Sequence, residues 1–242
     1  MLMMSLSCSD LAYSTLVMPF CVLEVIENGR WLFGEILCHA RSVMVYYFLS
    51  VSIYHVACMA VDRYIAISKP FLYRNFTIKT GYVMIGVSWM LPVLIQFLPH
   101  FLGWANIEEN IIFKCHDKEC LHIFKQGSFI ACIIVGFCIP FLIPYLCYIL
   151  ILRIVMKFNT RRKKHVGKTF EGAFSSKSAP AKRNLKAYGT VGSILICFTI
   201  CWSPTCGFVV TFLRAGDPMQ PWFFVMVMWI ANLNMALNPL LY

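Results

Sequence analysis

Asp10 is an acid in the middle of an otherwise apolar run. A charge at the centre of a membrane helix costs about 2.5–3.5 kcal/mol on insertion scales, so such a residue faces a protein interior and has a task by default. The plain task is a polar contact between helices. The sharper one is a cation site. Ser52, Asn234 and Asn238 also stand in apolar runs, and with Asp10 they offer the oxygen ligands that a hard cation prefers. Sequence spacing by itself does not bring the four together. A second chemical feature is Asp62-Arg63-Tyr64 at the polar end of an apolar run. An acid beside a base at a helix end pairs locally and holds the arginine until another partner takes it. Three letters are a weak signal, and Ser68-Lys69-Pro70-Phe71 just beyond strengthens it. Among the 12 cysteines, Cys8, Cys21, Cys58, Cys132, Cys138, Cys147, Cys197, Cys201 and Cys206 fall inside apolar runs, where a thiol acts as a small hydrophobe. No CxxC pair occurs, so a zinc site is not expected. Cys38, Cys115 and Cys120 lie in or beside polar loops, where a disulfide is possible. No nucleophile, base and metal set appears in any loop, so catalysis is not expected.

The elements that must position these residues follow from composition. Of 242 residues, 60% are hydrophobic and 13% charged, with a mean hydropathy of +0.71. Soluble domains average about 25% charged residues and about 45–50% apolar ones, so the membrane class comes first. Six runs are long enough to span: roughly 1–26, 37–66, 79–102, 124–156, 188–213 and 221–242. A span needs about 20 mostly apolar residues. Each must be helical, because lipid offers no partner for a free backbone group. Strand-type alternation of the kind a membrane barrel shows is missing. Pro19, Pro92, Pro140, Pro144, Pro204 and Pro239 sit inside the runs and mark kinks.

The net charge of +10 is concentrated. More than half of the 21 Lys and Arg residues lie between Arg153 and Lys186. In a membrane protein that is a cytoplasmic loop and not a nucleic-acid surface. The link 67–79 is basic too, whereas the others carry Glu24, Glu27 and Glu35, then Glu108, Glu109, Asp117 and Glu119, then Asp217. With the basic side in the cytosol, the sequon Asn75-Phe76-Thr77 is cytosolic and unused. Residues 157–187 form a basic third cytoplasmic loop. Its Gly167–Pro180 part, rich in Gly, Ser, Lys and Ala, is expected to be disordered. No secretory signal is expected ahead of the first run, and no internal repeat is found.

Motif order then carries a resemblance. Asp10-Leu11-Ala12 with Pro19, Trp31-Leu32-Phe33-Gly34 with Cys38, Asp62-Arg63-Tyr64, Trp89 with Pro92, Pro140 with Tyr148, Cys201-Trp202-Ser203-Pro204 and Asn238-Pro239-Leu240-Leu241-Tyr242 occur in sequence, each on its own run. Together they resemble a class A, rhodopsin-like G-protein-coupled receptor, from the family's second helix to its seventh. The resemblance implies an all-α transmembrane bundle with six of the seven helices, a single receptor domain over 1–242. It also implies a multi-pass place in the plasma membrane, a heterotrimeric G protein as partner and an extracellular small-molecule ligand.

The resemblance also implies the following roles, position by position. Arg63 is the residue released to the G protein, with Asp62 as its resting partner and Tyr64 completing the motif. Phe71 is the inner-loop hydrophobe that docks on the G protein. Ile53, Pro140 and Phe198 match a packing triad that rearranges on activation, and Trp202 lies under the ligand. Tyr148 and Tyr242 turn toward Arg63 in the active state. Asp10, Ser52, Asn234, Asn238 and Trp202 match a pocket for an allosteric sodium ion, the one cofactor-like group implied. Cys38 pairs with the second outer loop, where Cys115 and Cys120 compete and the spacing to Pro140 favours Cys120.

The ligand pocket departs from the pattern. Sequence flavour, including Trp229, resembles the branch with amine, adenosine and melatonin receptors. Amine receptors place an Asp seven residues after the third-helix cysteine, and Val45 stands there. Cys132, Ile133 and Gly136 replace fifth-helix serines, and Thr205 and Cys206 replace aromatics after Pro204. Asn232 stands where opsins carry the retinal lysine, and Val209 where adenosine receptors carry an asparagine. A pocket lined by Val45, Tyr46, Leu49, Cys132, Trp202, Thr205, Trp229 and Asn232 is apolar with a few polar anchors, as ligand sites commonly are. Glu24 and Arg41 fall at its mouth and read as a solvated rim. Asn184 replaces an acid that often locks the arginine of the switch, so raised basal activity is expected. Two other readings compete with a signalling receptor. A truncated, non-signalling receptor product explains the missing first helix. A transporter is disfavoured, since transporters line a path with intramembrane charges, often in repeat halves.

Overall fold

The structure is a computed structural model that describes residues 1–27, 29–101, 111–114, 121–124, 134–166, 192–193, 195–207 and 221–241. Readings that fall on Cys115, Cys120, Cys132, Ile133, residues 167–180, Asn184, Val209 or Tyr242 lie outside these residues. The chain forms two compact units, Met1–Cys147 and Tyr148–Tyr242.

The fold is helical. In the first unit the order is α1 (Leu2–Leu16), α2 (Met18–Ile26), α3 (Gly34–Ser68), the single turn α4 (Pro70–Tyr73), α5 (Ile78–Phe101), strands β1 (Ile111–Lys114) and β2 (Leu121–Phe124), and a wide-turn segment Ile134–Cys138. From that segment α6 (Ile139–Val166) runs into the second unit. There α7 (Leu195–Gly207) and α8 (Pro221–Leu241) follow. Among the described residues, four helical stretches are long and apolar enough to cross a membrane: Leu2–Ile26, Ile36–Ser68, Ile78–Ile95 and Val135–Lys157. They match the first four expected runs. The fifth and sixth are apolar helices over Leu195–Gly207 and Pro221–Leu241. The strand pair is an addition to the all-helical expectation. It lies between α5 and the wide turn, antiparallel, with Ile111 opposite Phe124 and Lys114 opposite Leu121.

The prolines break the helices as their chemistry requires. Pro19 has no N–H to donate, and α1 stops at Leu16 before α2 restarts with Pro19 in its first turn. Ser14 Oγ donates to the Asp10 carbonyl at 2.8 Å, and Thr15 Oγ1 to Leu11 at 2.9 Å. Hydroxyls therefore occupy carbonyls of the turns just before the break. Pro140 follows the wide turn Ile134–Cys138, and the Val135 carbonyl accepts from the Tyr54 hydroxyl at 3.1 Å. Wide turns of this kind often sit beside a proline or at a functional kink.

Within the first unit α3 is the axis. It packs on α1, α4, α5 and the wide turn. Val51, Ile53, Val56, Ala57 and Ala60 on it are buried, whereas Tyr82, Val83, Met90 and Leu94 of α5 are exposed, as a lipid-facing helix requires.

Candidate functional site

The cytoplasmic end of α3 assembles first. Arg63 Nη2 lies 3.1 Å from Asp62 Oδ2. Asp62 is the more withdrawn of the two, at 15% side-chain exposure against 43% for Arg63. Asp62 has a second partner that the sequence reading missed: the Tyr73 hydroxyl donates to Oδ1 at 3.2 Å. Pro70 opens α4 in the position that suits its fixed φ, and one helical turn brings Tyr73 back under the end of α3. Tyr73 stacks on Phe76, their ring centroids 5.2 Å apart. Burial, the charge of Asp62 and the hydrogen bond to it hold the Tyr73 phenol above its ordinary pKa, while Arg63 pulls the other way. Phe71 on the same turn is exposed, and Tyr64 is half-buried.

At mid-span Asp10 and Ser52 are buried in the first unit, as are Asn234 and Asn238 in the second. Neither Ser52 Oγ nor Asn234 Oδ1 has a hydrogen-bond partner among the described residues. Ile53, Pro140, Phe198 and Trp202 are all buried. The Phe198 and Trp202 rings lie 5.7 Å apart at 34°. Tyr148 packs against Gly192: a Cβ there would meet the tyrosine hydroxyl at 3.1 Å.

One mid-span assembly went unread in the sequence. His55 is fully buried on α3. Its Nδ1 lies 2.8 Å from the Val51 carbonyl and its Nε2 2.9 Å from Ser5 Oγ on α1. Trp89 Nε1 of α5 donates to the same Ser5 oxygen at 2.9 Å. Three helices share one hydrogen-bond chain. An ionisable residue inside a span is a signal in itself, but the Ser5 oxygen that joins the chain stands 50 positions from His55 and 84 from Trp89, beyond any local pattern.

At the outer end Glu24 and Arg41 do not form a solvated rim. Arg41 Nη1 contacts Glu24 Oε2 at 2.6 Å, and both side chains are mostly withdrawn from water. The guanidinium carbon lies 5.0 Å from the Trp31 ring centroid. Phe20 and Phe33 surround that ring at 6.0 and 5.3 Å. Trp31 Nε1 donates to the Gly34 carbonyl at 2.6 Å. Cys38 is disulfide-bonded. Its partner lies outside the described residues. Along α3 the pocket residues Val45 and Leu49 are buried and Tyr46 is half-buried. Asn232 is buried, and Thr205 and Trp229 are half-buried, in the second unit.

The family described as 7 transmembrane receptor (rhodopsin family) matches residues 1–242. The chain belongs to the rhodopsin family of receptors. It is 31% identical to the 5-hydroxytryptamine receptor 4 of Homo sapiens over 98% of its own length. It is 32% identical to the trace amine-associated receptor 7e of Mus musculus over 100% of its length and 68% of that protein's. It is 29% identical to the octopamine receptor beta-2R of Chilo suppressalis, over 98% of its length. The chain spans 65% of the length of the human 5-hydroxytryptamine receptor.

As a rhodopsin-family chain it is a multi-pass protein of the plasma membrane, and the family is one of receptors rather than enzymes. These relatives are amine receptors by name, in keeping with the amine branch, yet an apolar, buried Val45 stands where the resemblance calls for an amine's counter-charge. The only acid described in the outer half of α2 that is withdrawn from water is Glu24, and Arg41 already engages it.

Proposed function

We propose that this chain is the transducing body of a G-protein-coupled receptor that carries an extracellular small-molecule signal to a heterotrimeric G protein. The observation that supports it most is the Asp62–Arg63 pair with Tyr73 on the same carboxylate. The acid is held by two partners, so it can keep one when the arginine leaves. Exposed Phe71 sits one helical turn away on α4, available to a partner. Nucleotide exchange on added heterotrimeric G protein, measured in membranes that carry the chain, tests this. Arg63→Ala abolishes exchange and Phe71→Ala weakens it. Exchange that survives Arg63→Ala at equal surface expression counts against the reading.

The ligand is not a simple amine held at Val45. A buried ammonium without a counter-charge is costly. A robust response to dopamine or serotonin that a Val45 substitution removes would refute this. The reading includes an allosteric sodium ion for Asp10, Ser52, Asn234 and Asn238. Their oxygen chemistry and their burial support it, as do Ser52 Oγ and Asn234 Oδ1, which have no hydrogen-bond partner among the described residues. Sodium then lowers basal exchange in the wild type and leaves Asp10→Asn unmoved. Asn184, in place of a locking acid, raises basal output, and output no higher than in mock-transfected cells would sink that part.

A further inference from the structure

The withdrawn ion pair at the outer end of α2 and α3 has the chemistry of a ligand handle. Cys38, Arg41, Val45 and Leu49 follow one another on α3 at spacings of three and four, so they share one face. Arg41 sits on that face between the disulfide-bonded Cys38 and the apolar Val45. Glu24 meets it from α2 at 2.6 Å, with side-chain exposures of 13% for Arg41 and 22% for Glu24. Trp31 backs the guanidinium at 5.0 Å and is itself held by Phe20, Phe33 and the Gly34 carbonyl. The two charges are therefore held against each other and largely desolvated.

Charge balance decides what can enter there. A bare amine that took Glu24 would leave Arg41 without its carboxylate. A bare acid that took Arg41 would strand Glu24. Breaking a desolvated pair from one side is strongly unfavourable, because the charge left behind is short of water and of its counter-charge. A molecule that brings both charges replaces both partners at once. We propose that the Glu24–Arg41 pair is the recognition site for a zwitterionic amino acid with an apolar or aromatic side chain. Its ammonium meets Glu24, its carboxylate meets Arg41, and its side chain lies along Val45 and Leu49. The proposal rests on the receptor reading and names the ligand class for it. It also reconciles an amine-branch sequence with Val45: the ammonium is kept, and its counter-charge has moved outward by one turn and across to α2.

The test is binding, not signalling, so a failed proposal is separable from a failed receptor reading. The purified chain in lipid nanodiscs is heated with each proteinogenic L-amino acid at millimolar concentration. An apolar or aromatic one raises the unfolding temperature. For tryptophan as the probe, tryptamine and indole-3-propionate carry one charge each and leave the temperature unmoved. Glu24→Gln and Arg41→Gln each weaken binding about a hundredfold, as expected when one partner of a desolvated charge pair is removed. The double reversal Glu24→Arg with Arg41→Glu restores the link between the helices and the unliganded unfolding temperature, but it turns the amino acid around and loses binding. No stabilisation by any amino acid overturns the proposal and makes the pair a clip between helices only. Equal binding of tryptamine and tryptophan, or full binding by the reversed pair, overturns it as well.

Discussion

Substitution of Ser5 by alanine tests whether the hydrogen-bond chain on α1, α3 and α5 holds the first unit together. The direction of each hydrogen bond is set by its neighbours. The Val51 carbonyl can only accept, so His55 Nδ1 carries the proton that faces it at 2.8 Å. In the neutral ring Nε2 is then an acceptor, and the Ser5 hydroxyl donates to it at 2.9 Å. Ser5 Oγ in turn accepts from Trp89 Nε1 at 2.9 Å. The order is Trp89 to Ser5 to His55 to Val51, with every proton used once. Ser5→Ala removes two of the three bonds and strands the indole N–H and the imidazole nitrogen inside the span, where lipid offers no partner. Hydrogen bonds between membrane helices are worth about 0.6 kcal/mol on average and up to about 1.7 kcal/mol each. Two of them put the loss at roughly 1–3 kcal/mol. At about 2–4 °C per kcal/mol for a chain of this size, the unfolding midpoint falls by roughly 2–12 °C. Trp89→Phe removes one of the same bonds, so the two changes are not additive. Their double-mutant cycle shows a coupling above about 0.5 kcal/mol. The assay is thermal unfolding in nanodiscs followed with a thiol-reactive dye, which reports on buried thiols such as Cys147 and Cys201. An Ser5→Ala midpoint equal to wild type, or strict additivity with Trp89→Phe, would refute the chain as a determinant of stability.

Three further outcomes are expected. The raised pKa of Tyr73 means that its contact with Asp62 contributes in full below the ordinary phenol value of 10.0 and is lost as pH climbs past the higher folded value; a phenolate absorbance difference between wild type and Tyr73→Phe that titrates at or below 10.0 refutes it. Non-reducing peptide mapping finds Cys38 joined to Cys120, and a Cys38–Cys115 peptide sinks that choice. Gly192→Ala is tolerated after Tyr148 gives by a few tenths of an ångström, whereas Gly192→Leu overpacks against the ring and lowers stability by about 1–3 kcal/mol; equal midpoints for the two variants show that Tyr148 does not rest there.

Features written in neighbouring letters were legible. The Asp62–Arg63 pair, the break at Pro19 and the kink region at Pro140 come from residues whose chemistry acts within one or two turns. The six helical runs follow from length and lipid alone. What could not be read depends on residues far apart in sequence. Glu24 and Arg41 each look like a solvated end of a helix, and only the approach of α2 to α3 makes them partners. Ser5 and His55 are unremarkable polar letters until α1 and α3 bring them within 2.9 Å. Tyr73 lay in a loop by sequence, and a single turn of helix after Pro70 was enough to aim it at Asp62. The strand pair Ile111–Lys114 with Leu121–Phe124 is too short to show an alternating pattern.

The same contrast explains which letters mark the interior of this fold. In a soluble helix apolar residues point inward, and their period gives the buried face. Here the apolar period says little, because lipid accepts Leu or Met as readily as the core does. Met4, Leu11, Ile36, Met90 and Leu94 are all exposed, while Leu6, Val51 and Ile53 are buried. Polar letters inside spans carry the information instead. Lipid cannot satisfy them, so they turn toward protein. Ser9, Asp10, Ser42, Ser50, Ser52, His55 and Ser88 are buried in the first unit, and Asn232, Asn234 and Asn238 in the second. Four of these stand on α3, the helix whose apolar window is most enclosed, at 67% buried against 11% for α5. The helix with the most in-span polar groups becomes the axis because its neighbours must supply their partners. Its cytoplasmic end then carries Arg63 and its outer end Arg41, each held by an acid, so one rigid element connects the two charged sites.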